Sequence, residues 1–357
     1  MSEEYFRISN TKSLPVNCDF HKNHYDSIQT LRGIAAIFVV LEHIRFIQNG
    51  AFGVDIFFCI SGFMVMFTTH QNTRYFFRKR LLRIIPFYYL MTLGIYILLL
   101  LFPEMFEQTT PRIIYLVKSL LFIPFDIGNG AIQPLIRIGW TINYEMFFYI
   151  VFFIASRISH RYRGLVCSIL IGLFVLAGFV LPVQGVVFDF YSNPIMLEFM
   201  MGILCYYAAR AVYGIHQRKQ LPALTIPLSM LMAVVLFAFI WIIRDSFEML
   251  SFSRLLYWGL PAALIVLCFF TAGLMISMPA FSVTLGNISF SLYLIHYYPI
   301  MFIDRVLLDF STASPGAAAG AICSILVVVF LSYPAWYLIE HRLTGWLRSR
   351  FLPRSSG

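Results

Sequence analysis

Long apolar runs alternate along the chain with short stretches of Pro, Gly and charge. About 20 apolar residues cross a bilayer as a helix. By that measure ten segments qualify: 30–48, 53–70, 84–102, 140–156, 164–182, 194–211, 223–243, 254–275, 281–303 and 316–339. A further apolar stretch, 113–125, is interrupted by Lys118 and ended by Pro124. It reads as a re-entrant or interfacial piece rather than an eleventh span. The pattern predicts an all-α, polytopic transmembrane helical protein of about ten spans. The domain over 28–341 is expected to be embedded, between a polar N-terminal tail (1–27) and a C-terminal tail (342–357). No internal repeat and no separate soluble domain stand out.

Composition agrees. The 357 residues are 60% hydrophobic and 12% charged, against about 25% charged in a soluble domain. There is too little charge to cover a globule in water, and a bilayer is the solvent that suits such a surface. The net charge of +9 would ordinarily raise nucleic-acid binding. Here the basic residues collect in alternate connections, as the positive-inside rule requires, and nucleic acid is not the expected partner. Arg7, Lys12, Lys22 and Arg32 fall on one side with Arg74, Arg78, Lys79, Arg80 and Arg83. Arg157, Arg161, Arg163, Arg210, Arg218, Lys219, Arg342, Arg348, Arg350 and Arg354 share that side. The division, about 19 inside against about 7 outside, places both termini in the cytoplasm of a multi-pass protein of the bacterial inner membrane. Residues 1–27 are polar and do not read as a cleavable signal peptide. The six cysteines lack paired or metal-ligand spacing and read as small core residues.

Ionisable groups inside a membrane are costly and mark functional positions. Arg32 and His43 lie eleven residues apart in the first span, on one helix face and roughly 16 Å apart. Taken alone they also read as an inner anchor and an interfacial imidazole. Asp55, in Gly53-Val54-Asp55, opens the second span, where an acid is also favourable as a helix start; Gly53 and Gly62 would permit close helix approach. Arg80 and Arg83 share a helix face and would grip the phosphates of a cytosolic ligand such as coenzyme A, although a basic loop there is ordinary. Asn143, Tyr144 and Glu145 open the fourth span, and His296 closes a polar stripe with Ser289, Ser291 and Tyr293. His43, Asp55, Glu145 and His296 thus come to one depth from four spans, and that coincidence predicts a single catalytic cluster. His21 and Asp26 match the H-x4-D spacing of glycerolipid acyltransferases but lie in the polar tail, so the match is taken as chance.

In this order the blocks resemble the acyltransferase-3 family of integral membrane acyltransferases. They are Leu31-Arg32-Gly33-Ile34-Ala35 with His43, Gly53-Val54-Asp55 through Ser61-Gly62-Phe63, and Arg80-x-x-Arg83-Ile84 with Pro86. Trp140 through Glu145 and Ser291 through His296 complete the set, which covers essentially the whole chain. The subgroup it most resembles modifies exopolysaccharide; Tyr88-Tyr89 stands where many relatives carry Tyr-Trp. The resemblance implies transfer of an acyl group, commonly acetyl, from cytoplasmic acyl-CoA to a hydroxyl of a surface glycan or lipid-linked sugar. It also implies functional roles for Arg32, His43, Arg80 and Arg83.

The expected assignment is therefore His43 as catalytic base, oriented by Asp55 or Glu145, with Arg32, Arg80 and Arg83 binding acetyl-CoA or another acyl-CoA. Asn143, Tyr144 and His296 are expected to contact the acceptor. Direct attack and an acyl-histidine relay both fit; no metal is called for, and homo-oligomer formation stays open. Two other classes compete: a transporter or flippase for a lipid-linked sugar with a His/acid proton relay, and a scaffolding subunit with a lapsed site.

Overall fold

A computed structural model describes residues 16–106, 110–128, 130–183, 185–219, 221–243, 252–307 and 315–352. Helices dominate these residues; the β-pairing among them is an isolated bridge between Asp126 and Ile132. In chain order the helices begin with α1 (Val16–Glu42), α2 (Gly53–Thr68), α3 (Phe76–Leu101), α4 (Ile113–Leu120) and α5 (Trp140–Ile158). Next come α6 (Arg163–Val180), α7 (Val186–Tyr191), α8 (Leu197–Lys219), α9 (Thr225–Ile243) and α10 (Phe252–Arg254), which runs through a π-helical turn into α11 (Leu260–Gly273). Then follow α12 (Ala280–Asn287), α13 (Ser289–Ile295), α14 (Tyr297–Phe302), α15 (Pro315–Ala335), a π-helical stretch (Trp336–Leu343) and α16 (Thr344–Phe351).

Each of the ten expected segments falls on helix, and the fold is that of an all-α polytopic membrane protein. Among the described residues, 7 helical stretches are long and apolar enough to cross a membrane. The other three expected spans differ for physical reasons. Helix α1 begins at Val16, well before the expected boundary near 28. Its polar first half contains neither Pro nor Gly up to Arg32, so nothing interrupts the backbone ladder where hydropathy changes. Helix α2 is short, at 16 residues. The segment 281–303 is broken into α12, α13 and α14; Pro299 lacks the N–H that would bond the carbonyl of Ile295, and the regular helical ladder is interrupted at His296. The stretch 113–125 is the short α4 plus a loop, as expected of a non-spanning piece.

Helix α2 sits at the centre, packed on α1, α5, α8 and α11. Its crossing with α8 is set by two glycines. A Cβ at Gly62 would lie 2.1 Å from the Phe199 carbonyl oxygen, and one at Gly202 would lie 2.0 Å from that of Cys59. No side chain fits there, so the backbones touch. Outside, Leu165, Ile169, Leu173 and Leu176 of α6 are exposed along one face, a surface made for acyl chains rather than water. Cys59, Cys167, Cys205, Cys268 and Cys323 are free thiols.

The turn from α1 to α2 holds His43. Helix α1 ends at Glu42, whose carboxylate accepts hydrogen bonds from the backbone of Gly50 (2.9 Å) and Ala51 (3.1 Å). The acid of the turn is thereby committed to closing the loop, leaving the adjacent imidazole to project independently.

Candidate active site

Three polar assemblies occupy the interior. The first is a chamber of about 860 Å³, its open mouth included, lined among others by Arg32, Arg80, Arg83, Glu145, Tyr149 and Tyr293. Arg32 of α1 donates to Gln29 (2.9 Å), and Gln29 donates in turn to Asn287 (2.8 Å), which ties α1 to α12. Arg80 of α3 donates to the hydroxyl of Thr68 (3.3 Å), and its guanidinium lies 5.2 Å from the centre of the Tyr149 ring. Glu145 of α5 accepts from Ser61 (2.8 Å) and from the Tyr149 hydroxyl. Glu340, in the π-helical stretch, accepts from Ser291 and stands close to Arg32 and Arg83. Three guanidiniums therefore meet two carboxylates, so the formal charge of the group is one positive.

The second assembly is a pair of imidazoles. His43 Nδ1 lies 2.9 Å from the Val39 carbonyl and 3.2 Å from His296 Nε2. His296 is fully buried, and its Nδ1 faces the carbonyl of Tyr293 at 2.7 Å. Carbonyl oxygens only accept, so each Nδ1 carries the hydrogen. His296 Nε2 is then a lone pair receiving the Nδ1–H of His43. By the same logic His43 Nε2 is a bare lone pair, and the residue is half-buried, so this atom is available to a reactant.

Tyr293 joins the two. It lines the chamber, and its ring centre is 5.8 Å from that of His296. Its hydroxyl donates to the Ile138 carbonyl at 2.8 Å and lies 2.6 Å from the Thr141 hydroxyl. One aromatic ring thus stands where the arginine chamber ends and the histidine pair begins.

The third assembly holds Asp55. Its carboxylate is fully buried and takes a forked pair of bonds from Arg254, at 2.9 and 2.8 Å. Glu198, also fully buried, faces the same pair. Buried Asn143 Oδ1 and Tyr144 Oη have no hydrogen-bond partner among the described residues. The Tyr144 ring stacks on Phe190 with centroids 4.0 Å apart.

The single cluster expected from the sequence is therefore corrected. His43 and His296 meet. Asp55 and Glu145 do not join them; each belongs to a different network. Helical phase is the reason. On α5, Thr141, Ile142, Glu145 and Tyr149 face the chamber, while Asn143 and Tyr144 point about 200° and 100° away from Glu145's direction. On α2, Asp55 shares its face with Cys59 and Gly62, which pack on α8, whereas Val54, Phe57, Phe58 and Ser61 line the chamber. Arg32, Arg80 and Arg83 do come together as expected. Four contributors were not singled out from sequence: Glu340, Tyr149, Arg254 and Glu198. Glu340 carried a signal, being an acid that follows the apolar run Trp336-Tyr337-Leu338-Ile339. Among the described residues no group of His, Cys, Asp and Glu is arranged to hold a metal ion.

Comparison with known proteins adds an independent line. A family described as an acyltransferase domain matches residues 25–339. The exopolysaccharide production protein ExoZ of Rhizobium meliloti is 29% identical over 292 residues, covering 80% of this chain and 87% of that protein. The O-acetyltransferase OatA of Staphylococcus aureus is 23% identical over 378 residues, covering 95% of this chain and 60% of that protein. This chain thus spans about three fifths of the length of OatA. No solved structure matches.

Proposed function

The chain belongs to the acyltransferase-3 family, over residues 25–339, and from that premise we propose a transfer that runs between its two polar ends. The protein is a multi-pass membrane O-acetyltransferase. In this reading the donor is cytoplasmic acetyl-CoA, and the acceptor is a hydroxyl of a polysaccharide or lipid-linked sugar on the opposite side of the bacterial inner membrane. Both termini then face the cytoplasm, consistent with the excess of basic residues at that end.

The observation that carries the proposal is the separation of chemistries. Guanidiniums, which suit the phosphates of coenzyme A, gather in a chamber beside the body of α1, at Arg32. A bare imidazole nitrogen stands just past the C-terminal end of the same helix, eleven residues on, roughly 16 Å away. An extended pantetheine arm suits that span.

The step follows from the tautomer. His43 Nε2 takes the proton of the acceptor hydroxyl as its oxygen forms the bond to the thioester carbonyl carbon. The C–S bond then breaks, and the proton passes from Nε2 to the departing sulfur. The products are the acetyl ester and coenzyme A, and no net proton is gained or lost. His296 keeps His43 in the required tautomer by accepting from Nδ1–H, the role an orienting carboxylate plays in other base-catalysed transfers. Asp55 with Arg254 holds α2 to α10 rather than touching reactants, and Glu145 holds Tyr149 and Ser61 at the chamber wall.

The test is transfer of radiolabel from acetyl-CoA to surface glycan, by membranes bearing wild-type or His43→Ala protein. Label is expected in glycan with wild type alone. Equal labelling by a correctly folded His43→Ala protein would overturn the assignment.

A further inference from the structure

At the histidine end the structure carries a cation with no assigned task. Arg137 opens the 3₁₀ turn (Arg137–Gly139) that leads into α5, with Ile138 and Gly139 buried behind it. Its side chain is exposed, and Nη1 donates to the Tyr297 hydroxyl at 2.8 Å. The guanidinium lies 5.4 Å from the centre of the same ring. Tyr297 in turn stands edge-on to His43, with ring centres 5.2 Å apart. The fork is therefore pinned beside the reacting imidazole, with most of its five donors directed elsewhere.

The acids nearest in the chain and across the loop are engaged. Glu42 is held by the backbone of Gly50 and Ala51, and Asp304 pairs with Arg45 at 3.5 Å. Among the described residues no carboxylate pairs with Arg137. An exposed arginine is ordinarily just solvated. This one is fixed by a hydrogen bond and a ring face within one aromatic residue of the base, which makes its position specific.

We propose that Arg137, positioned by Tyr297, binds an anionic group of the acceptor, so that the acylated hydroxyl belongs to an acidic glycan. The inference rests on the transferase reading above and narrows its substrate class. The shared chemistry is a pair of anionic oxygens recognised by a forked guanidinium. Those oxygens come either from a sugar carboxylate or from a phosphate, including the diphosphate of a lipid-linked sugar.

The experiment uses the full chain in nanodiscs with radiolabelled acetyl-CoA. Surface glycan and lipid-linked glycan from the host are each separated by anion exchange into neutral and acidic pools. Label is expected in an acidic pool. Arg137→Gln should raise KM for that pool roughly tenfold to hundredfold while leaving KM for acetyl-CoA and kcat near wild type. Arg137→Lys should recover part of the loss, and Arg112→Gln, another exposed arginine, should change nothing. Carbodiimide activation followed by borohydride reduction removes carboxylates and spares phosphates. Loss of acceptor activity on that treatment assigns a carboxylate; retention assigns a phosphate.

Label entering neutral and acidic pools equally would overturn the proposal. So would an Arg137→Gln defect confined to kcat, which would mean that the arginine acts on the reacting carbonyl instead. No label in any pool refutes the transferase reading itself, a result distinct from both.

Discussion

Replacing His296 by leucine removes the lone pair that accepts the Nδ1–H of His43, and the structure sets how much activity should follow it. That hydrogen bond spans 3.2 Å, while the Val39 carbonyl holds the same hydrogen at 2.9 Å. The tautomer therefore survives the substitution on its shorter bond, and only one of two restraints is lost. One neutral hydrogen bond contributes about 1 kcal/mol, which corresponds to roughly a fivefold loss in rate. Removing the base itself, in His43→Ala, should cost about 10²–10⁴-fold. His296→Gln should stay near wild type, because its amide oxygen accepts from His43 and its amide nitrogen donates to the Tyr293 carbonyl. The assay is single-turnover release of coenzyme A from bound acetyl-CoA in the presence of acceptor. Acetyl-CoA binding serves as the folding control, since its phosphates are expected at the far end. If His296→Leu is as damaging as His43→Ala, with binding intact, His296 is itself exchanging the proton and the reasoning fails. If it has no effect, the two rings are not coupled and the positioning role is wrong.

Arg80→Ala and Arg83→Ala should each raise KM for acetyl-CoA by about tenfold or more through loss of a charge-assisted contact, with KM for the acceptor unchanged in steady-state assays. Asp55→Asn should destabilise the protein by about 3 kcal/mol, because buried Arg254 loses its forked carboxylate partner and keeps Glu198 as its neighbouring acid. Thermal unfolding in detergent measures that loss, and activity per folded molecule should persist. A paired Asp55→Leu, Arg254→Leu protein should recover much of the stability. Gly62→Val should abolish accumulation of the folded protein, since the new side chain would meet the Phe199 carbonyl; normal yield on size-exclusion chromatography would contradict the close-contact account.

What the sequence revealed and withheld follows from one distinction. Hydropathy reports position along a helix axis, and there the sequence was informative: each of the ten long apolar runs falls on helix, Arg32, Arg80 and Arg83 share one chamber, and His43 meets His296. Rotation about the axis was not read. Glu145 and Asn143 are two residues apart and face opposite ways, so an argument from depth merged networks that helical phase keeps separate. The periodicity needed was present in principle, since Asp55, Cys59 and Gly62 follow the spacing of one face. What that spacing does not give is the identity of the neighbour, and Arg254 lies 199 residues away from Asp55. Arg137 was hidden for another reason: an arginine beside a helix start looks like solvent-facing charge until Tyr297, from a distant helix, is seen to hold it.

The ring of Tyr293 has a consequence for the cell as well as for the reaction. With a polar chamber on one side and a half-buried imidazole on the other, this side chain and its bonds to Thr141 and Ile138 would, on the proposed transfer, form part of the membrane's permeability barrier. If the acetyl group passes from one face of the bilayer to the other, as proposed, it must do so without opening a conduit for protons and ions. The geometry meets this if the donor arm, as it displaces the ring, fills the space the ring gives up, so that the cargo serves as its own stopper. Catalysis and electrical insulation would then be selected together at a single tyrosine.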